Sequence, residues 1–236
     1  MTEELFREES YLKTCEAEVV AANADGIELD RTVFYAAGGG QPGDTGTLKT
    51  ASGMEISIAD TIKDKGTGAI LHIPTEDAPA LQPGDAVSAT IDWGRRHRHM
   101  RMHTCLHLLC GLVEGGVTGG SVGADKSRLD FDIPGDVPDK ADLTVRLNAL
   151  IAEDHPLAVR WISDADLAAE PDLVRTMSVK PPTGSGRVRL IDVEGVDLQP
   201  CGGTHVKSTG EIGRVRISKI ENKGKRNRRI NVVFDE

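Results

Sequence analysis

Ala86-Val87-Ser88-Ala89-Thr90-Ile91 runs without a break into Asp92-Trp93-Gly94-Arg95-Arg96-His97-Arg98-His99-Met100-Arg101-Met102-His103-Thr104-Cys105-Leu106-His107, and between the two the period of the sequence changes. Val87, Ala89 and Ile91 alternate with polar or small residues, the pattern of a strand with one face in a core. Beyond Asp92, which is placed to cap a helix, Met102, Leu106, Leu109 and Val113 recur at helical spacing until Gly115-Gly116 ends the run. The change at Asp92-Trp93 predicts two domains, residues 1–92 and residues 93–236. Upstream, Val19-Val20, Ile27-Leu29, Val33-Tyr35, Met54-Ile58 and Ile70-Ile73 are short apolar segments bounded by Gly, Pro, Asp or Asn. Short strands so spaced predict a small antiparallel β-barrel. Downstream, a second helix is expected over Pro138–Glu153, where Leu143, Leu147, Leu150 and Ile151 form a stripe. Strands are expected at Arg128–Ile133, Leu157–Ile162 and Arg187–Val193, with a closing hairpin from Gly213 to Phe234. The fold class is therefore α+β, a barrel followed by a mixed domain.

Composition narrows the function classes. With 39% hydrophobic and 28% charged residues in 236, the chain is too polar for an integral membrane protein and apolar enough to bury a core. No apolar run reaches membrane-spanning length, and Met1–Ser10 has no apolar segment of a signal peptide, so a cytoplasmic location is expected. Cys15, Cys105, Cys110 and Cys201 form no Cys-x-x-Cys pair, which suits reduced thiols or a metal ligand. The net charge of -9 is uneven: residues 1–92 hold 17 acidic against 6 basic residues, and the remainder 20 against 22. Anionic partners are thus compatible with the second part.

Two pairs of residues carry the chemistry. His103 and His107 stand four apart on the expected helix, which stacks both imidazoles on one face, one turn apart. Cys201 and His205 are also four apart, but Pro200 before them and Gly202-Gly203 between them make a tight loop. One thiolate and three imidazoles suit tetrahedral zinc. Spacing alone leaves a choice, since His99 with His103 is as good a helical pair as His103 with His107. Thr104 occupies the position where a zinc protease would carry its general-base glutamate, which argues against a peptidase.

Gly38-Gly39-Gly40-Gln41-Pro42-Gly43-Asp44-Thr45-Gly46 lacks the Gly-Lys-Ser/Thr of a phosphate loop and the spacing of a dinucleotide-binding turn. It reads either as a hairpin connection or as a place where the backbone amides of Gly39 and Gly40 and the Gln41 side chain meet a substrate at close range. Lys223-Gly224-Lys225-Arg226-Asn227-Arg228-Arg229 holds five cations in seven residues at the expected hairpin turn, a candidate for phosphate contact through Lys223, Lys225, Arg226, Arg228 and Arg229. Aromatic residues make up only 3%, which favours backbone and shape recognition of structured RNA over stacking on single strands.

His103-Thr-Cys-Leu-His107-Leu-Leu, Ser127-Arg-Leu-Asp-Phe-Asp132, Gln199-Pro-Cys-Gly-Gly-Thr-His205, Lys219–Lys225 with Arg228-Arg229-Ile230, and Gly38–Gly46 together resemble the freestanding alanyl-tRNA editing proteins of the AlaX type, in the longer form with an N-terminal barrel. The resemblance covers nearly the whole chain. It implies zinc held by His103, His107, Cys201 and His205. It implies hydrolysis of the ester that joins serine, or glycine, to tRNA(Ala), with Gln41 assisting in the glycine-rich loop. Such proofreading answers a physical need, because a pocket sized for alanine cannot strongly reject glycine or an analogue that adds one hydroxyl. Two other readings compete: a zinc-stapled RNA-binding module without catalysis, and a zinc hydrolase of small esters or amides.

Overall fold

The computed structural model of the chain describes residues 2–76, 78–177 and 186–235, and divides into two compact units, residues 1–97 and 98–236. The first unit carries β1 (Glu3–Glu4), β2 (Thr14–Asn23), β3 (Gly26–Leu29), β4 (Arg31–Thr32), β5 (Gly46–Thr50), β6 (Glu55–Lys63), β7 (Ile70–Pro74) and β8 (Ala86–Ile91). Six strands close into an antiparallel barrel in the order β2-β3-β7-β6-β5-β8, while β1 lies parallel to β4. Alternate positions supply its core, with Ala17 and Val19 from β2, Ile56 and Ile58 from β6, and Val87, Ala89 and Ile91 from β8 in one buried cluster.

The barrel differs from the sequence expectation in two places. Val33–Tyr35 is not a strand. Val33 and Phe34 are fully buried, and the backbone is satisfied by side chains instead of a ladder: the Phe34 amide donates to Thr32 Oγ1 at 3.0 Å and the Tyr35 amide to Asp44 Oδ2 at 2.7 Å. The strand that fills its place is β5, which holds one large apolar residue, Leu48, set opposite Ile56 on one side and Ala89 on the other. Pairing on both edges compensates for weak intrinsic propensity.

α1 (Trp93–Leu112) begins in the first unit and continues into the second. Asp92 caps it, accepting the Arg95 amide on Oδ1 at 3.0 Å. From residue 102 to residue 110 every side chain is buried, so this stretch is enclosed on all faces and not merely along one stripe. The second unit continues with β9 (Gly116–Ser121), β10 (Lys126–Asp132), α2 (Lys140–Ala152), β11 (Leu157–Ser163), α3 (Asp164–Ala169), β12 (Arg187–Val193), β13 (Asp197–Pro200), β14 (Val215–Asn222) and β15 (Asn227–Phe234). These form a four-stranded sheet, β14-β15-β10-β9, and a three-stranded one, β11-β12-β13. Asp139 caps α2 through the Ala141 and Asp142 amides, and Leu143, Leu147 and Ile151 are its buried face. Asn148 fastens α2 to β14 by donating to Val215 O at 2.7 Å and accepting its amide at 3.1 Å. Among the described residues no helix is long and apolar enough to cross a membrane.

One buried polar group in the barrel makes its stability depend on pH. His72 on β7 is wholly enclosed, with Nδ1 2.9 Å from Ile27 O and Nε2 2.8 Å from Thr32 Oγ1. A carbonyl only accepts, so Nδ1 carries the proton and Nε2 accepts from the hydroxyl, which is the neutral ring. Burial pushes its pKa down to about 4, although the Ile27 carbonyl opposes this. Between that value and the ordinary 6.5 the unfolded chain binds a proton that the folded chain does not, so His72 removes stability as pH falls through this window. The expected size is roughly 3 kcal/mol. Urea denaturation at pH 7 and pH 4.5 is therefore expected to show wild type and His72→Gln converging at the lower pH, and an unchanged gap would refute the assignment.

Candidate metal centre

The rigid half of the site is α1. His103 and His107 sit one turn apart, their ring centroids separated by 5.4 Å. The other half is the loop after β13, whose shape is set by Arg189 of β12. Its buried guanidinium donates from Nη1 to Cys201 O at 2.8 Å and to Gly203 O at 2.9 Å, and its carbonyl accepts the Cys201 amide at 3.1 Å. The loop thus folds around a cation that the main chain itself satisfies.

Together the two halves form one cluster. Cys201 Sγ lies 3.5 Å from His103 Nε2 and 3.3 Å from His205 Nε2, and the Gly203 amide points at the sulfur from 3.4 Å. The His205 ring is 4.3 Å from His103 and 4.6 Å from His107 between centroids. One ligand atom from each of His103, His107, Cys201 and His205 falls within 4.8 Å of all the others. Tetrahedral bonds of about 2.0–2.3 Å place donors roughly 3.3–3.8 Å apart, so a small inward movement accommodates an ion. His99 is buried but is not among the four gathered residues.

The electrostatics favour the forms a metal needs. Burial alone would raise the Cys201 thiol, yet the neighbouring charge of His103, with hydrogen bonds to His103 and His107, holds it well below its ordinary value. Burial and the charge of His103 lower His205 well below the usual imidazole range. His107 goes the other way: burial opposes protonation, but hydrogen bonds to Asp197 and Cys201 carry it up to about 9. A thiolate and a neutral imidazole are ready ligands, and a proton on His107 is the one that a bound cation would displace.

Several residues around the cluster were not among the site residues expected from the sequence. Asp197 Oδ2 is 3.1 Å from His107 Nδ1, and the Gln199 amide donates to the same oxygen at 2.7 Å. Thr104 Oγ1 is 3.1 Å from His205 Nδ1 and accepts the Val206 amide at 3.3 Å. The signal in the sequence was the pair of polar residues at alternate positions, Asp197 and Gln199, leading into the cysteine loop. Both face inward from β13.

The remaining candidates lie as follows. Gly39 and Gly40 are the two central residues of a tight turn closed by paired bonds between Gly38 and Gln41, and both have positive φ, +56° and +82°. That conformation by itself calls for glycine. Both are exposed, whereas Gln41 is buried. The loop is braced in the first unit by Asp44, whose carboxylate accepts Arg96 Nε at 2.8 Å and also pairs with Arg96 Nη2, with both side chains buried. In the second unit the hairpin cations are largely engaged. Arg229 forks onto Asp130 with two bonds of 2.8 Å, Arg226 pairs with Asp132 at 2.7 Å, and Arg228 donates to Asn222 Oδ1 at 3.0 Å. Lys223 stands 3.6 Å from Glu221. Lys225 is exposed and makes no ion pair among the described residues.

Residues 188–231 match the family model described as the threonyl and alanyl tRNA synthetase second additional domain, and residues 6–95 match that of class II (A) tRNA synthetases. Over 98% of both chains the sequence is 38% identical to an alanyl-tRNA editing protein AlaX-M of Methanosarcina acetivorans. It is 34% identical to the AlaX-M protein of Saccharolobus solfataricus, again over 98% of each chain. An alanine--tRNA ligase of Methanothermobacter thermautotrophicus is 34% identical over 93% of this chain, which spans 25% of that protein.

Removing a cluster residue should remove metal. Cys201→Ala and His107→Ala are expected to purify with far less bound divalent metal than wild type. Elemental analysis measures this, and full occupancy in both variants would remove these two residues from the ligand set.

Proposed function

The chain belongs to the AlaX family of alanyl-tRNA editing proteins, and on that premise we propose that it hydrolyses the aminoacyl ester of mischarged tRNA(Ala), serine chiefly and glycine as a second substrate. The observation that carries this reading is the convergence of His103, His107, Cys201 and His205 within 4.8 Å. A thiolate with three imidazoles is a donor set for zinc. Zinc held there would supply a fixed positive charge for positioning the aminoacyl group and polarising its carbonyl.

The chain's own residues do the rest. Hydrolysis adds water to the ester carbon and breaks the bond to the ribose oxygen, which leaves as a hydroxyl. In this reading the Gln41 amide orients the water or the carbonyl oxygen without adding charge, and the exposed turn amides of Gly39 and Gly40 lie against the substrate. Lys223, Lys225, Arg226, Arg228 and Arg229 face the phosphates of the tRNA, where cation contacts bind without reading sequence. Serine is told from alanine by its hydroxyl: a site built to bond that group leaves a polar partner unpaired with alanine, enough for discrimination of about 10⁴. Four protein donors fill a tetrahedron, as in a structural site, and this favours the alternative of a zinc-stapled RNA-binding module without catalysis.

Turnover separates the two. Under single-turnover conditions the protein is expected to release serine from Ser-tRNA(Ala) while sparing Ala-tRNA(Ala), and Gln41→Ala to be slower by tenfold or more on the estimate for a lost polar contact of about 1.4 kcal/mol. Serine release no faster than the uncatalysed reaction would leave only the binding module. Affinity for tRNA is expected to fall with salt, and Lys225→Ala to make that dependence shallower by about one phosphate contact. Titrations at several salt concentrations read the slope, and identical slopes would take Lys225 out of the interface.

A further inference from the structure

We propose that Asp197 and Thr104 are the positioning residues of the metal centre, each holding one imidazole by Nδ1 so that Nε2 is presented to the ion. The inference rests on the reading of the cluster as a metal site and goes one layer outward from it. A ligating imidazole is fixed in tautomer and ring angle by what its second nitrogen bonds. For His107 that partner is a carboxylate, Asp197 Oδ2 at 3.1 Å, and for His205 it is a hydroxyl, Thr104 Oγ1 at 3.1 Å. In each case the outward-facing atom is Nδ1, which leaves Nε2 for the cluster, and His205 Nε2 is the atom already 3.3 Å from Cys201 Sγ.

Both partners are themselves held. Asp197 has a fully buried side chain, kept by the Gln199 amide at 2.7 Å and by Arg175, whose Nε stands 3.5 Å from Oδ1. A carboxylate so placed is costly unless a positive charge answers it. A divalent ion bound by a single thiolate would keep one uncompensated positive charge, and Asp197, shared between Arg175 and His107, sets a second buried anion beside it. Thr104 is fully buried and also accepts the Val206 amide at 3.3 Å, which ties the chain just after His205 to α1. The residue whose identity argues against a protease thus has a use of its own at the same position. The two ligands are made unequal: the imidazole bonded to a carboxylate is the stronger donor of the pair.

The test uses the full-length protein and does not depend on turnover. Zinc affinity is measured by competition with a chromophoric chelator, and the visible spectrum of the cobalt(II)-loaded protein is recorded, for wild type, Asp197→Asn, Thr104→Val and Thr104→Ser. Asp197→Asn and Thr104→Val are expected to weaken zinc binding by roughly ten- to hundredfold and to shift the cobalt bands, while Thr104→Ser, which keeps the hydroxyl, stays near wild type. Wild-type affinity and an unshifted spectrum in both weakened variants overturn the proposal. Should Asp197→Asn fail to fold, Gln199→Met, which removes the amide that holds the carboxylate, is expected to lose affinity in the same direction, and no loss there overturns the role of Asp197. A wild-type chain that itself binds neither zinc nor cobalt overturns the metal reading, and that failure is distinct because it appears before any substitution is made.

Discussion

A thiolate drawn partly out of water, as the half-buried Cys201 is, cannot stand alone. Taking an anion of that size out of solvent costs several kcal/mol unless charges and donors answer it. In the second unit the answer comes from segments 98 residues apart in sequence, with His103 on one and Cys201 on the other. α1 supplies two imidazoles at a spacing that its own geometry fixes. The loop after β13 has no such stiffness, and its shape comes from Arg189, which draws the carbonyls of Cys201 and Gly203 onto one guanidinium. β12 carries that arginine, β13 carries Asp197 and Gln199, and the three-stranded sheet is therefore the frame of the loop half of the cluster. His107, whose hydrogen bonds to Asp197 and Cys201 outweigh burial and carry its pKa up to about 9, sits between those two anionic groups and answers both.

Much of this was legible from residue order. Strands at Arg187–Val193 and in the C-terminal hairpin stand where the sequence predicts them. α1 is legible in helical spacing and the cap at Asp92, and α2 in the stripe of Leu143, Leu147, Leu150 and Ile151. Both ligand pairs were visible as four-residue offsets. What escaped was structure whose stability comes from neighbours. β5 has one large apolar residue and β9 contains Gly116, Gly119 and Gly120, and each is held by pairing that no local pattern announces. Val33–Tyr35 looked like a strand because it is apolar, yet its amides are taken by Thr32 and Asp44 side chains. The choice between His99 and His107 was beyond spacing in principle, since both lie one turn from His103. Only the path of the distant loop separates them.

The cations of a basic tract are not all available to a partner. Around residues 95–101 the cations are spent inside the protein. Arg96 is buried against Asp44, Arg95 donates to Gly43 O, Arg98 reaches Ala124 O and Asp125, and Arg101 donates to Ile212 O and lies over the Phe234 ring. In the closing hairpin Arg226 and Arg229 face acids across the sheet. Each such pair would have to exchange a carboxylate for a phosphate on meeting RNA, which lowers the gain per contact but fixes the guanidinium in place beforehand. Lys225, exposed and without an ion pair among the described residues, carries no such cost.

On the proposed function, the donor count constrains the chemistry more than the identity of any one ligand. Three imidazoles and a thiolate would fill a tetrahedral ion, which would leave no vacant position for activating a bound water in the usual way. Catalysis then has to be assembled from orientation: a polarised carbonyl held in place, a water aligned by neutral amides, and exclusion of other nucleophiles. Neutral groups suit that task in an editing enzyme. A strong general base would hydrolyse correctly charged tRNA along with the mischarged, because the ester is the same in both. Selectivity must therefore come from whether the side chain of the amino acid completes the site, and a modest intrinsic power of hydrolysis is what lets that completion decide the outcome.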